Sequence, residues 1–252
     1  MQKLVVFDIG GVLRDSSLVM QEGYRRGLEG FGLNLKLNSA QIWNLRGIGK
    51  YNSGELGAKA VLAITRSKQD FDSILRKSNS EEIIDGLVQK HIAPQEEEKC
   101  KRMYWVYRDF FNSPQAGEKV RIFPDAKNAL ELLIDNNYLL AIFTNASRVS
   151  VERDLGSLGL DKFSAIISEE DVVQKKPSGE GIVKIIEKIG ADAQKTYYVG
   201  DAPTDIMAAK DAGCKSIAML TGMGLRKNLE AEKPDLIFAS LKEMSEYLAT
   251  NK

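Results

Sequence analysis

Apolar and polar positions follow two rhythms along this chain. Short β-branched runs at Lys3–Phe7, Leu139–Phe143, Ser164–Ile167, Thr196–Val199, Ser216–Leu220 and Leu236–Phe238 read as strands. From Ile122 onward they alternate with helical patterns. Pro124-Asp125 opens a helix with Ala129, Leu132 and Leu133 on one side, and Ser178 starts another carrying Ile182, Ile185 and Ile186. Strand and helix in alternation predict an α/β fold, a Rossmann-like parallel sheet with helices on both faces.

Residues from about Ser17 to Glu118 keep a helical period instead, as in Ile83, Ile84, Leu87, Val88 and in Met103, Val106, Tyr107, Phe110. No convincing strand interrupts them. A helical insert after the first strand predicts two domains: a core of 1–16 and 119–252, and an all-helical cap of 17–118. A cap of this kind is expected over the carboxyl ends of the strands, where such sheets hold ligands. The charged stretch Gln95–Lys101 reads as a solvated helix start.

Composition narrows the function. Lys plus Arg and Asp plus Glu each number 35, so the net field offers little attraction to nucleic acid or anionic membranes, and a small-molecule substrate is expected. Cys100 and Cys214 supply neither a disulfide framework nor zinc-ligand spacing, which fits a reducing cytoplasm. The apolar run Leu4–Phe7 stops at Asp8, too soon for a signal peptide or membrane span, so a soluble protein is expected. The one histidine, His91, falls on the stripe of Ile84 and Leu87, which predicts packing rather than catalysis.

Four strand ends carry reactive side chains: Asp8-Ile9-Gly10-Gly11-Val12-Leu13, Thr144-Asn145, Lys176-Pro177, and Gly200-Asp201-Ala202-Pro203-Thr204-Asp205. Singly, each has an ordinary reading. Asp8 fits a turn cap, Thr144 a strand threonine, Lys176 a loop lysine beside proline, and Asp205 a first-turn acid favoured by the helix dipole. Together and in this order they resemble the haloacid dehalogenase superfamily, in its helical-cap subgroup that includes phosphoglycolate phosphatase and β-phosphoglucomutase.

The resemblance implies a Mg²⁺-dependent hydrolase of a small phosphorylated metabolite. Asp8 would attack phosphorus and carry an aspartyl-phosphate. Asp8, the Gly10 carbonyl, Asp201 and Asp205 would hold Mg²⁺, an all-oxygen set suited to a hard cation. Thr144, the Asn145 backbone N–H and Lys176 would grip the phosphoryl oxygens. Leu45–Lys50 resembles the subgroup's cap loop, making Arg46 and Lys50 candidate substrate contacts. The expected partners are a small metabolite and, at most, a second copy of the chain, as monomer or homodimer.

One position departs from the family pattern. Phosphatases of the superfamily usually carry a second Asp two residues after the nucleophile as general acid and base, and here that position is Gly10. Asp15, with Ser16, is expected to cap the first helix instead. Three outcomes follow: preference for good leaving groups, an acid borrowed from the cap, or weak catalysis. Two alternatives stand beside the phosphatase: an enzyme like phosphonoacetaldehyde hydrolase with Lys50 as a Schiff-base lysine, or a phospho-ligand-binding protein with little turnover.

Overall fold

The computed structural model describes residues 3–52 and 54–251. The chain divides into two compact units, Met1–Asp15 with Arg121–Lys252, and Ser16–Val120.

The Ser16–Val120 unit contains helices α1 (Ser17–Glu29), α2 (Ser39–Arg46), α3 (Gly54–Ser67), α4 (Phe71–Leu75), α5 (Ser80–His91) and α6 (Glu97–Asn112), and no strand among its described residues. Helix α1 packs closely on α6. Added Cβ atoms at Gly23 and Gly27 would lie 2.7 Å from the Tyr107 ring and from Met103, and the Tyr24 and Tyr107 rings stack at 4.5 Å. Met103, Tyr107 and Phe110 are buried as expected, but Val106 is exposed, because three residues beyond Met103 the helix has turned to the edge of its packed face. His91 ends α5 half-buried, its carbonyl accepting from Arg66, whose guanidinium also grips both oxygens of Glu96.

The other unit is built on strands β1 (Lys3–Phe7), β2 (Arg14–Asp15), β3 (Arg121–Ile122), β4 (Tyr138–Phe143), β5 (Phe163–Ile167), β6 (Thr196–Gly200), β7 (Lys215–Met219) and β8 (Leu236–Phe238). Six of them form a parallel sheet in the order β5-β4-β1-β6-β7-β8. The helices are α7 (Ala126–Asp135), α8 (Arg148–Leu155), α9 (Glu180–Ile189), α10 (Pro203–Asp211), α11 (Arg226–Ala231) and α12 (Leu241–Thr250). Alternation along β1 feeds two cores: Val5 and Phe7 join Leu130, Leu133, Leu155 and Leu248, while Leu4 and Val6 join Ile182, Ile185, Ala208 and Ala209. The expected fold class is therefore observed, with both sheet faces covered.

Local details differ from the sequence reading. Helix α7 buries Ala126, Ala129, Leu130 and Leu133, an i, i+3, i+4, i+7 stripe that leaves Leu132 at its margin. Helix α9 starts at Glu180, and the Ser178 hydroxyl accepts from the Glu180 N–H. Asp15 immediately precedes the N-cap of α1. It lies in β2, paired antiparallel with Arg121 of β3, and Ser16, at the N-cap of α1 with φ −111° and ψ 14°, makes no side-chain cap hydrogen bond, because it is out of the extended conformation that aims a capping hydroxyl at the first turn. Beside it, Arg14 is buried in an ion pair with Asp154 and donates to the Ser150 carbonyl. Among the described residues no helix is long and apolar enough to cross a membrane.

Candidate active site

The site lies at the carboxyl ends of the central strands. Phe7 is in register with Ile142 on one side and Val199 on the other, so Asp8 emerges between the ends of β4 and β6. In a parallel sheet this is where the chain order reverses and a crevice opens. Its backbone N–H donates to the Val199 carbonyl at 2.8 Å, which fixes the strand end.

Around that point three buried carboxylates converge. Asp8, Asp201 and Asp205 place oxygens within 4.8 Å of one another, and no other His, Cys, Asp or Glu cluster of this kind occurs among the described residues. Lys176 is the cation beside them, its Nζ 2.9 Å from Asp8 Oδ1 and 2.6 Å from Asp205 Oδ1. Burial opposes its charge, but Asp205 and Asp8 outweigh that penalty and hold its pKa above the ordinary lysine value. The ammonium also lies 5.9 Å from the Phe143 ring centre and 5.8 Å from that of Tyr198.

The three acids differ in how the protein uses them. Asp205 is fully engaged: Oδ2 accepts from the Asp201 and Ala202 N–H groups at 3.1 and 2.9 Å, and Oδ1 accepts from Lys176 and from the Tyr198 hydroxyl at 3.3 Å. Asp201 Oδ2 accepts from the Met223 N–H at 2.7 Å. Burial, then Asp205 and Asp8, push the Asp201 carboxyl well above its ordinary value, and burial likewise raises Asp205 against the pull of Lys176. Asp8 Oδ1 is buried and makes an ion pair but no hydrogen bond. Three carboxylates against one ammonium, in an oxygen-only donor set, fit a hard divalent cation.

The remaining predicted residues divide between the units. Thr144 is buried at the end of β4, its hydroxyl accepting from the Ala146 N–H at 3.3 Å. Asn145 follows it, and its Oδ1 accepts the Lys176 backbone N–H at 3.1 Å, tying two of the predicted elements together. The Lys176–Pro177 bond is cis. Gly10 sits in a tight turn closed by Leu13 and Arg14 N–H groups on the Ile9 carbonyl, and an added Cβ there would meet nothing within 4 Å.

Arg46 and Lys50 lie in the helical unit. Arg46 ends α2, is 9% exposed and donates to the Tyr24 hydroxyl at 3.1 Å, while its Nε has no hydrogen bond. Lys50 is half-exposed and ion-paired with Asp85 at 2.7 Å, the opposite of the dry pocket that a Schiff-base lysine requires.

Sequence reasoning missed the turn after β7. The Thr221 hydroxyl donates to the Gly11 carbonyl at 2.5 Å, and the Gly222 backbone runs against Asp201. Gly11 has a φ of +72°, and its missing Cβ leaves the space that Asp201 and Gly222 occupy. The readable signal was Thr221-Gly222-Met223-Gly224 at the end of a predicted strand. Tyr198 was also missed. Buried on β6, it donates to the Phe143 carbonyl at 2.9 Å, and burial followed by Asp205 keeps its phenol protonated far above the ordinary range.

Comparison with known proteins gives concordant results. A family model of haloacid dehalogenase-like hydrolases matches residues 68–219, more than half of the chain. Phosphoglycolate phosphatase of Shigella dysenteriae is 28% identical over 244 residues, covering 95% of this chain and 90% of that protein. The Neisseria meningitidis enzyme of the same name is 36% identical over 136 residues, 52% of this chain and 58% of that protein. Among solved structures, a predicted phosphoglycolate phosphatase from Haemophilus somnus aligns over 98% of each chain with a TM-score of 0.72 at 21% identity. A haloacid dehalogenase-like family protein from Streptococcus pneumoniae gives 0.66 at 16% identity, again over 98% of each. At those identities the structural likeness is one of fold.

Proposed function

The chain belongs to the haloacid dehalogenase-like hydrolase family, and from that premise we propose that it is a phosphatase of small phosphorylated metabolites that works through Asp8 and Mg²⁺. The observation that carries the reading is the buried convergence of Asp8, Asp201 and Asp205 on Lys176. Similarity to phosphoglycolate phosphatase over most of both chains supports it.

In this mechanism an Asp8 oxygen attacks phosphorus, the phosphorus–oxygen ester bond breaks, and an aspartyl-phosphate forms on Asp8. Water then attacks that phosphorus, releasing phosphate and regenerating the carboxylate. Lys176, the Thr144 hydroxyl and the Asn145 backbone N–H hold the phosphoryl oxygens, and most of the rate enhancement comes from this positioning and neutralisation. Mg²⁺ would be held by Asp8, the Gly10 carbonyl and Asp201, and supplies when bound the positive charge that offsets the transferring phosphoryl group. Asp205 acts at one remove, since its oxygens already accept from Lys176, Tyr198 and two backbone N–H groups.

Gly10 leaves Asp8 without the neighbouring acid that protonates a leaving alkoxide, so esters and anhydrides with good leaving groups are the preferred substrates. In the helical unit Arg46 is the better candidate anion contact. It is a buried guanidinium with no carboxylate bonded to it among the described residues, whereas Lys50 already has Asp85.

The test is a phosphate-release panel with Mg²⁺ covering acetyl phosphate, p-nitrophenyl phosphate, sugar phosphates and phosphoglycolate, with Asp8→Asn as control. Release that requires Mg²⁺ and disappears in Asp8→Asn is expected. No release from any ester despite Mg²⁺ binding would make the protein a phospho-ligand binder instead.

A further inference from the structure

Lys176 is carried by a loop that has no regular structure from Val172 to Gly179, and Val173 within it is 91% exposed. A segment of this kind orders only if its backbone groups are tied down, because each ordered residue costs conformational entropy. Yet its ammonium is placed within hydrogen-bond distance of two buried carboxylates.

Asn145 Oδ1 holds the Lys176 N–H at 3.1 Å and Asp211 Oδ2 the Gly179 N–H at 2.7 Å, while the exposed bend around Val173 is tied by the first residue of α9. Glu180 Oε1 accepts from the Val173 N–H at 3.0 Å and Oε2 from the Gln174 N–H at 2.7 Å, so one carboxylate spans the exposed bend of the loop. One helical turn later Lys184 donates to Glu180 Oε1 at 2.6 Å and to the Asp171 carbonyl at 2.8 Å. The clasp therefore joins the start of the loop to the helix at its other end through charge-assisted bonds, which are stronger than neutral ones. Helix α9 is itself held by Ile182 and Ile185, buried in the core with Phe143. Lys184 and the two loop N–H groups keep the Glu180 carboxyl ionised, with its pKa lowered to about 2.

We propose that Glu180, braced by Lys184, is a positioning residue that holds Lys176 against Asp8 and Asp205. The consequence for turnover rests on the phosphatase reading above; the effect on Lys176 itself does not. A first-turn glutamate placed only for the helix dipole would leave Lys176 as protected as before.

The experiment measures amidination of Lys176, by peptide mass mapping of the whole metal-free protein, in the wild type and in Glu180→Ala, Glu180→Gln and Lys184→Met, beside kcat and KM on acetyl phosphate. In the wild type Lys176 is expected to resist labelling, since its side chain is 6% exposed. Glu180→Ala should label at Lys176 about tenfold faster and lose about 10- to 100-fold in kcat with a smaller change in KM, the scale of a reacting group displaced by roughly 1 Å. Glu180→Gln, which keeps one acceptor oxygen, should fall between. If Glu180→Ala does not fold, Glu180→Gln and Lys184→Met decide the matter. Unchanged Lys176 labelling in folded variants overturns the proposal, as does faster labelling with unchanged kcat in an active enzyme. Faster labelling in a protein that hydrolyses no phosphate ester supports the clasp and removes the phosphatase reading.

Discussion

Both units of this chain bury charge, and they do so on opposite terms. In the α/β unit three carboxylates share one lysine, and burial raises the Asp201 and Asp205 pKa values. In the helical unit the buried ion is Arg46, hydrogen-bonded to a tyrosine, while acids such as Glu96 pair in partly exposed positions. The two arrangements respond to pH with opposite sign. A carboxyl raised in the folded state contributes its stability below its ordinary pKa of 3.8 and loses it as pH rises through the raised value. Glu96, lowered from 4.5 to about 2 by Arg66 and the Ala93 N–H, contributes above 4.5 and loses that contribution as pH falls toward about 2. The α/β cluster thus works against neutral-pH stability in the absence of a cation, as a site built for function does, whereas the helical unit's ion pairs favour folding there.

The strongest way to break this contrast is Lys176→Met. Removing the lysine from this buried cluster should cost about 3–5 kcal/mol at alkaline pH, and the loss should shrink as pH is lowered, because the raised Asp201 and Asp205 carboxyls take up protons sooner than free ones. Urea unfolding at alkaline and at lower pH checks it, and equal losses would contradict the raised carboxyls. Next in size is Gly10→Asp. The turn has room for an added Cβ, and a general acid placed there should raise the rate on simple alkyl phosphates about a hundredfold while leaving p-nitrophenyl phosphate nearly unchanged. Steady-state kinetics on both substrates would expose a wrong assignment by showing equal changes.

Smaller effects sharpen the other side of the comparison. Arg46→Met removes a buried charge that no carboxylate among the described residues is bonded to, so stability should change by less than about 1 kcal/mol while substrate KM rises. A loss of several kcal/mol with KM unchanged would make Arg46 a packing residue. Glu96→Gln should cost at most about 1 kcal/mol at pH 7 and flatten the fall in Tm between pH 4.5 and pH 2; an unaltered acid limb would remove Glu96 from the account.

The core strands were legible to within a residue or so because β-branched runs bounded by turns carry their own signal, as at β1, where both ends match. Strands β2 and β3 were not, since two residues each contain no period to detect. Within the site, the expected strand-end residues Asp8, Asp201, Asp205 and Lys176 meet in one cluster. Their order along the chain revealed them. The supporting contacts escaped because they run through backbone: Met223 reaches Asp201 by its N–H, Thr221 reaches the Gly11 carbonyl, and Glu180 binds two loop amides. The run Thr196–Val199 read as a strand, but nothing in its spacing told that the Tyr198 hydroxyl meets Phe143 and Asp205.

The central claim is that Asp8 carries the phosphoryl group. Acid quenching of the protein during turnover of radiolabelled acetyl phosphate with Mg²⁺, followed by peptide mapping, tests it most directly. Label is expected on the peptide containing Asp8 and absent in Asp8→Asn. Steady phosphate release with no labelled protein, or label on any other residue, would contradict it.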